Sequence, residues 1–290
     1  MSEPIQTSKE FILQAKCTAA GGIVADVTSY LWSQTCYIAE MHQFDDEATG
    51  LFFMRAVCRI ESDQIDIAAV EKGFDKVAKS FSMDWQIHDK SKPCRVLIMV
   101  SKFDHCLNDL LYRHNKGELP MEITAIISNH KDVRPMAERE GIRFIHLPVT
   151  PENKSKQEQA LLDVIEETQT DLVVLARYMQ ILSDELSKKL KGRAINIHHS
   201  FLPGFKGAKP YHQAHKRGVK LIGATAHYVT SDLDEGPIIE QSVQAVDHSF
   251  TPDMLVAAGR DTETIALANA VKHHIKYRVF LAGNRTVVFK

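Results

Sequence analysis

Three polar side chains in two short segments have the residue types and spacing that acyl chemistry requires. Asn196 and His198 lie in the run AINIHHSFLPGFKGAKP (194–210), which begins as a short apolar strand and continues as a loop. Because side chains alternate along a strand, these two project from one face. About thirty residues later, HYVTSDLDEGP (227–237) holds Asp234 in a turn that Gly236 and Pro237 favour. Together, an amide, an imidazole and a carboxylate can attack an acyl carbon and stabilise its oxyanion.

Each of these residues also has a purely structural interpretation. Asn196 can close a strand end, and Asp234 can serve as a turn former. His227 fits either a packed, hydrogen-bonded histidine or a support for the other three. His199 is divided in the same way, with water positioning as its functional alternative. The functional hypothesis therefore depends on the combination of residues.

A metal site is the first alternative to consider, because the chain has 14 histidines. No H-E-x-x-H motif occurs, and adjacent His198 and His199 on a strand are expected to point to opposite faces. The pair is then a poor start for a ligand set. We predict neither a metal nor a cofactor.

The composition is that of an ordinary globular protein. A chain of 290 residues can hold two domains, and a net charge of −2 gives no electrostatic reason to expect nucleic acid. No apolar run approaches the ~20 residues that span a membrane, and the amino terminus lacks the pattern of a secretory signal. The five cysteines are scattered and form no C-x-x-C pair, which is typical of reduced thiols. We expect a cytoplasmic protein that contacts neither membrane nor nucleic acid.

Two segments of different pattern must position the candidate residues. Residues 1–87 predict a βαββαβ order, the ferredoxin-like arrangement, with strands at 11–17, 36–44, 51–60 and 85–87 and helices at 22–33 and 65–83. A polar, proline-ended linker is predicted at 88–94.

Residues 95–290 predict a second domain of doubly wound α/β type with a mostly parallel sheet. Strands at 96–100, 123–128, 144–147, 172–175 and 194–197 alternate with helices at 107–113, 134–140, 156–168 and 182–190. Strands at 221–229 and 238–246, a helix at 253–277 and a hairpin around Gly283 and Asn284 follow. The candidate residues then lie near carboxyl ends of strands, where such sheets hold ligands.

The runs NIHHSFLP (196–203), GATAH (223–227) and LDEGPII (233–239) resemble the formyltransferase-fold family and, within it, the formyltetrahydrofolate deformylases. The likeness extends over nearly the whole chain, and residues 1–87 resemble the ACT domain of those enzymes. It implies Asn196, His198 and Asp234 as the catalytic residues. It also implies hydrolysis of 10-formyltetrahydrofolate to tetrahydrofolate and formate, with formate supplied to purine biosynthesis and the one-carbon folate pools balanced.

The resemblance further implies a substrate-binding set. The segment Met179, Gln180, Ile181 and Leu182 matches the family's pterin-edge segment, with Gln180 where transferase relatives often have arginine. His199, His227 and Gly236 complete the predicted binding residues. Side-by-side pairing of ACT domains implies a homo-oligomer. Thr18-Ala19 stand where ACT domains usually carry Pro-Asp, so binding of an amino-acid effector is left open.

Two details favour a deformylase over glycinamide ribonucleotide formyltransferase. The turn after the first strand of the second domain, Ser101–Leu107, contains no glycine that would let backbone amides approach a phosphate. His199 stands where the transferase pattern has proline. Two alternatives remain: formyl transfer to an amine acceptor, and a non-catalytic regulator that senses amino acids or folate.

The expected mechanism assigns one task to each residue. Asn196 donates to the oxyanion, and protonated His198 stabilises the same charge and then protonates the leaving nitrogen. Asp234 favours the cationic imidazole and orients the water. Gly204 to Lys209 is the candidate moving loop, and Lys206 and Lys209 are candidate contacts for a polyglutamate tail.

Overall fold

The computed structural model describes residues 9–62, 64–200 and 210–290. Apart from the last two residues, the chain divides into two compact units, residues 1–93 and 94–288. No helix in the described part of the chain combines the length and apolar character that a membrane span requires. The predicted loop 204–209, with Lys206 and Lys209, lies outside the described residues.

The amino-terminal unit is one antiparallel sheet with two helices. Its order along the chain is β1 Lys9–Thr18, α1 Ile23–Ser33, β2 Cys36–Asp46, β3 Leu51–Ile60, α2 Ile67–Ser80 and β4 Asp84–Asp89. The strand order β2-β3-β1-β4 is that of a ferredoxin-like fold. The helices bury residues at four-residue spacing in one core: Ile23, Val27 and Leu31 from α1, and Val70, Phe74 and Ala78 from α2.

The second unit has a seven-stranded mixed sheet. Its strands are β5 Cys94–Val100, β6 Met121–Ser128, β7 Phe144–His146, β8 Leu172–Leu175, β9 Ala194–His198, β10 Leu221–Tyr228 and β11 Ile238–Ala245. Their order is β11-β10-β9-β8-β5-β6-β7, in which β10 pairs antiparallel with both β9 and β11 and the other pairings are parallel. The predicted α/β class with a mostly parallel sheet is confirmed.

Helices cover both faces of this sheet. They are α3 His105–Asn115, α4 Arg134–Arg139, α5 Lys154–Glu167, α6 Asp184–Lys189, α7 Pro210–Arg217 and α8 Pro252–Ile275, and the hairpin β12 Val279–Ala282 and β13 Arg285–Val288 follows. Two successive residues of β5 point into the two different layers. Ile98 lies in the core that α3 and α8 share, and Met99 lies in the core beneath α5 and α6.

Several element ends differ from the sequence prediction for identifiable reasons. The helix predicted from Leu182 begins at Asp184, because the Ser183 hydroxyl caps it by accepting from the Leu186 amide. The predicted linker 88–94 is shorter, because β4 extends to Asp89 by pairing with Phe11 of β1 and β5 begins at Cys94. Residues 90–93 connect the two strands.

The strand order of the second unit creates a switch point between β5 and β8. From β5 the chain continues outward to β6 and β7, and it then returns to place β8 and β9 on the other side. Loops that leave two such strands diverge, and the crevice between their carboxyl ends is the usual ligand site of an open α/β sheet.

Candidate active site

Two neighbouring antiparallel strands, β9 and β10, bring the first site residues together. In their register Asn196 lies opposite His227, and His198 lies opposite Thr225. A β-bulge follows Ala226, because His227 pairs with Ile238 where regular pairing requires Ile239. Bulges redirect side chains at the ends of strands. Asn196, His198 and His227 therefore share one face of the sheet.

The turn after β10 supplies the carboxylate. Asp234 has a φ of 58°, a left-handed conformation that aspartate tolerates better than most residues. Gly236 is required by close packing, because a Cβ there would collide with the carbonyl oxygen of Tyr228. The Tyr228 amide then donates to the Pro237 carbonyl at 2.9 Å. Gly236 therefore holds the turn against β10.

Short polar contacts connect the four residues. His198 Nδ1 is 3.1 Å from Asp234 Oδ2, and His227 Nε2 is 3.8 Å from Asp234 Oδ1. Asn196 Nδ2 lies 3.4 Å from His227 Nε2, and His227 Nδ1 lies 2.9 Å from the Tyr228 carbonyl oxygen. His227 is buried and hydrogen-bonded, and it also contacts Asp234, so its position is compatible with both of its predicted roles.

The pKa of Asp234 is held well below its ordinary value. Burial alone would raise this pKa, but hydrogen bonds from His198 and His227 and the attraction of their charges outweigh burial. Asp234 is therefore ionised over the pH range in which enzymes work, and it can orient an imidazole or a water molecule.

His198 presents a free ring nitrogen at this site. The side chain is 9% exposed, and its Nδ1 is engaged by Asp234. Its Nε2 is buried and has no hydrogen-bond partner among the residues that the structure describes. A buried polar atom without a partner is costly in a native structure, unless a ligand completes it. Nε2 can therefore donate to or accept from a bound substrate.

These side chains line a cavity of about 380 Å³. Its wall contains nine of the ten predicted site residues: Met179, Gln180, Ile181, Leu182, Asn196, His198, His199, His227 and Asp234. The tenth, Gly236, stands behind the wall in contact with Tyr228. Met179 and Ile181 are 51% and 61% exposed, so their apolar side chains are available to a flat ring.

The expectation that His198 and His199 point to opposite faces is wrong. Strand β9 ends at His198, so the alternation does not extend to His199. The two rings stack with centroids 4.9 Å apart and an interplanar angle of 20°. His199 Nδ1 is 2.9 Å from Arg177 Nη1, and burial beside this guanidinium lowers the pKa of His199 to about 4. His199 is thus a neutral histidine beside the site.

A second polar cluster, which the sequence did not reveal, lies next to His199. Glu263 of α8 is 2% exposed, and its Oε2 is 2.7 Å from His105 Nε2 and 3.3 Å from Arg177 Nε. Its Oε1 accepts from the Tyr211 hydroxyl at 3.1 Å. Burial raises the pKa of Glu263, but the hydrogen bond from His105 and the charge of Arg177 hold it below its ordinary value. We call His105, Arg177, Tyr211 and Glu263 the Glu263 cluster.

One group in the described part of the chain has metal-ligand types within reach of each other: His105, Cys106 and Glu263. Both oxygens of Glu263 are engaged, by His105 and by Tyr211, and the positive charge of the Arg177 guanidinium lies 3.3 Å from one of them. Burial also raises the pKa of the Cys106 thiol far above its ordinary value. These three residues are therefore poor ligands, and the metal-free site remains a prediction.

Comparisons with known proteins agree on one family. The sequence pattern of the Formyl transferase family matches residues 94–271. A formyltetrahydrofolate deformylase of Corynebacterium sp. (strain P-1) is 51% identical over 290 residues, which is 100% of each chain. The crystal structure of formyltetrahydrofolate deformylase from Burkholderia mallei ATCC 23344 has a TM-score of 0.93 at 55% identity, covering 97% of this chain and 100% of that one. Glycinamide ribonucleotide transformylase 1 from Symbiobacterium toebii is more distant, with a TM-score of 0.64 at 27% identity over 70% of this chain and 97% of that one.

Proposed function

The chain belongs to the formyltetrahydrofolate deformylases, and on this premise we propose that Asn196, His198 and Asp234 hydrolyse 10-formyltetrahydrofolate to tetrahydrofolate and formate. The observation that carries this proposal is the state of His198. Asp234 fixes one ring nitrogen, and the other is buried, unpartnered among the described residues and part of the cavity wall. An imidazole oriented in this way is prepared for proton transfer to a ligand.

In the proposed reaction, water attacks the formyl carbon and the bond from this carbon to N10 breaks. The side-chain N–H of Asn196 donates a hydrogen bond to the formyl oxygen as this oxygen becomes an oxyanion. Asp234 Oδ1 lies 3.8 Å from His227 Nε2, so it has room to accept a proton from the attacking water. His198, when protonated, gives the proton that N10 needs to leave, and formate and tetrahydrofolate result.

The exposed segment 179–182 is proposed to bind the pterin ring. Met179 and Ile181 offer apolar contacts at the cavity mouth. The Met179 amide donates to the Ser101 hydroxyl at 3.0 Å, which fixes the beginning of this segment against β5. A ring of fused heterocycles needs both an apolar surface and backbone polar groups at its edge.

We assign residues 1–87 to an ACT domain that assembles a homo-oligomer. The βαββαβ order and the β2-β3-β1-β4 sheet support this assignment. Trp32 on α1 is 81% exposed and Tyr37 on β2 is 50% exposed, so this unit has apolar surface that a second copy could cover.

The proposed setting is the cytoplasm, with formate supplied to purine biosynthesis, and neither nucleic acid nor a membrane as a partner. All five cysteines are free and buried, as suits a reducing compartment. We propose no cofactor, because the folate is the substrate and the three residues supply the acid, the base and the oxyanion donor.

The test is hydrolysis without an acceptor. Purified protein with 10-formyltetrahydrofolate, a reductant and a chelator is expected to release formate and tetrahydrofolate in equal amounts. Asp234→Asn should slow this release by about a hundredfold to ten-thousandfold, because His198 and the water both lose their carboxylate. Asp247→Asn is the matched control. Asp247 is another turn aspartate with a lowered pKa, and it accepts a hydrogen bond from the Ser249 amide outside the cavity wall.

Two results would contradict the proposal. Formate release by folded Asp234→Asn at the wild-type rate would remove Asp234 from the mechanism. Tight folate binding by the wild type without formate would exclude hydrolysis and favour transfer to an amine or a regulatory role.

A further inference from the structure

Arg177 stands at the carboxyl end of β8 in a conformation that costs energy. Six non-glycine residues in the described part of the chain have positive φ, and of these Arg177, at 63°, and Asp234 line the cavity. Long side chains are uncommon in this region, and the strain is of order 1 kcal/mol or more. Asp234 has a task in the proposed mechanism, whereas Arg177 has none.

The surrounding structure holds the Arg177 side chain in one place. Its Nη1 bonds to His199 Nδ1 at 2.9 Å, and its Nε lies 3.3 Å from Glu263 Oε2. Its guanidinium carbon lies 5.4 Å from the ring centre of Phe103, which follows β5. The side chain is 10% exposed. Four elements thus fix one guanidinium: the ends of β8 and β9, the loop after β5 and helix α8.

This position is the switch point of the sheet. The Ser101 amide, just past β5, donates to the Arg177 carbonyl at 3.2 Å, so the ends of β5 and β8 are joined beneath the guanidinium. An open α/β sheet commonly binds a ligand in this crevice. Here it holds an arginine, and the His199 ring that Arg177 bonds stacks on catalytic His198 at 4.9 Å. The filled crevice therefore adjoins the formyl-binding side of the cavity.

Hydrolysis and formyl transfer differ in what attacks the formyl carbon. A transferase must hold an amine beside this carbon, whereas a hydrolase must admit water and keep amines out. Discrimination of this kind is efficient when the protein itself occupies the space of the wrong substrate.

We propose that Arg177 is a specificity-determining residue: held by Glu263 and His199, its side chain occupies the acceptor side of the site, so water rather than an amine takes the formyl group. The inference rests on the proposed hydrolysis. When the crevice is opened, an amine nitrogen can attack the formyl carbon while the bond to N10 breaks. N10 receives the proton that the amine loses, and the products are an N-formyl amine and tetrahydrofolate.

The experiment measures a product ratio. Full-length protein is incubated with 10-formyltetrahydrofolate and glycinamide, a small primary amine, and N-formylglycinamide and formate are quantified together. The wild type is expected to give formate, with no more N-formylglycinamide than the reaction without protein. Arg177→Gly, which removes the side chain and relieves the positive φ, should raise the ratio of formylated amine to formate by about tenfold or more. Reactions without protein and with Arg177→Gly/Asp234→Asn measure the uncatalysed background.

Matched variants separate open space from other effects. Gln169→Gly relieves a positive φ of 47° at a position outside the cavity wall and should keep the wild-type ratio. Arg177→Met refills most of the crevice without charge and should also stay near the wild-type ratio, whereas Arg177→Ala should behave like Arg177→Gly. The Ala and Met pair keeps the test decisive if the glycine variant does not fold.

The outcomes distinguish the two proposals. Absence of formate from the wild type without amine refutes the hydrolysis itself. With that activity present, equal ratios for Arg177→Ala and Arg177→Met, or for Arg177→Gly and the wild type, overturn the specificity role. Folded Arg177 variants that release neither product also overturn it, because Arg177 would then be a positioning residue for hydrolysis itself.

Discussion

Two histidines that are adjacent in the chain have opposite environments in this molecule. His198 bonds to Asp234, a carboxylate on a turn at the cavity, and keeps Nε2 unpartnered among the described residues. His199 bonds to Arg177, and burial beside this guanidinium lowers its pKa to about 4. Their rings are 4.9 Å apart, so the difference arises from the other group that each ring contacts, which is Asp234 for His198 and Arg177 for His199. An anionic partner prepares one histidine for proton transfer, whereas burial next to a cationic partner keeps the other neutral.

The two carboxylates differ in the same sense. Asp234 is 16% exposed and, among the described residues, its carboxylate contacts His198 and His227, so a ligand can share its charge. Glu263 is 2% exposed and is surrounded by His105, Arg177 and Tyr211. Its negative charge is balanced by these neighbouring groups, and it stabilises the Arg177 guanidinium. We therefore expect changes at Asp234 and its histidine partners to affect rate, and changes at the Glu263 cluster to affect stability and product choice.

The largest expected effect is the loss of rate on replacing His198. His198→Gln removes the proton donor and should lower kcat for formate release by about a thousandfold. His199→Gln removes one neutral hydrogen bond and should lower kcat by about tenfold at most. Both rates come from formate release at saturating 10-formyltetrahydrofolate. Equal losses in the two variants would contradict the division of roles.

Glu263→Gln is expected to destabilise the second unit. Removal of the charge leaves the buried Arg177 guanidinium without its anion, which should cost about 3 kcal/mol of unfolding free energy or more. Urea unfolding can isolate this effect, because both tryptophans, Trp32 and Trp85, lie in the amino-terminal unit. Far-ultraviolet circular dichroism reports both units, whereas tryptophan fluorescence reports the first.

The two signals provide an internal control for this variant. The transition seen by circular dichroism should shift to lower urea, and the fluorescence transition should not move. Glu167→Gln is a second control, since its ion pair with Arg143 lies on the surface and should contribute little. An unchanged circular-dichroism transition in Glu263→Gln would show that the Glu263 cluster is not a stabilising unit.

The sequence predicted one of these two regions and not the other, for physical reasons. Asn196 and His198 are close in the chain, so strand periodicity alone places them on one face. Asp234 needed the L-D-E-G-P turn and the family resemblance in addition. Arg177 and Glu263 are far apart in sequence, and nothing in the chain indicates which face of α8 meets the end of β8. The positive φ of Arg177 is likewise invisible in a residue type that rarely adopts it.

The error at His199 has a related cause. Alternation is a property of a continuing strand, and the sequence does not state that β9 ends at His198. Because the strand ends there, the next residue turns and the His199 ring stacks on His198, whereas alternation would have placed it on the opposite face. Predictions of strands in this chain were accurate to within a few residues, but at the last residue of a strand that tolerance decides where a side chain points.

Per pH unit, the smallest expected effect is a difference in the pH dependence of stability. The pKa of His199 is about 4 in the folded protein and about 6.5 for an ordinary histidine. Between these values the unfolded chain binds a proton that the folded protein does not, so the contribution of His199 to stability falls as pH drops from 6.5 to 4.

His199→Gln lacks this contribution. Its unfolding free energy, followed by circular dichroism, should therefore depend less on pH, by up to about 1.4 kcal/mol per pH unit. His88, whose pKa burial lowers to about 4, gives the tryptophan-reported unit a similar dependence in both proteins. Parallel curves for the wild type and His199→Gln over this window would show that burial beside Arg177 does not keep His199 neutral.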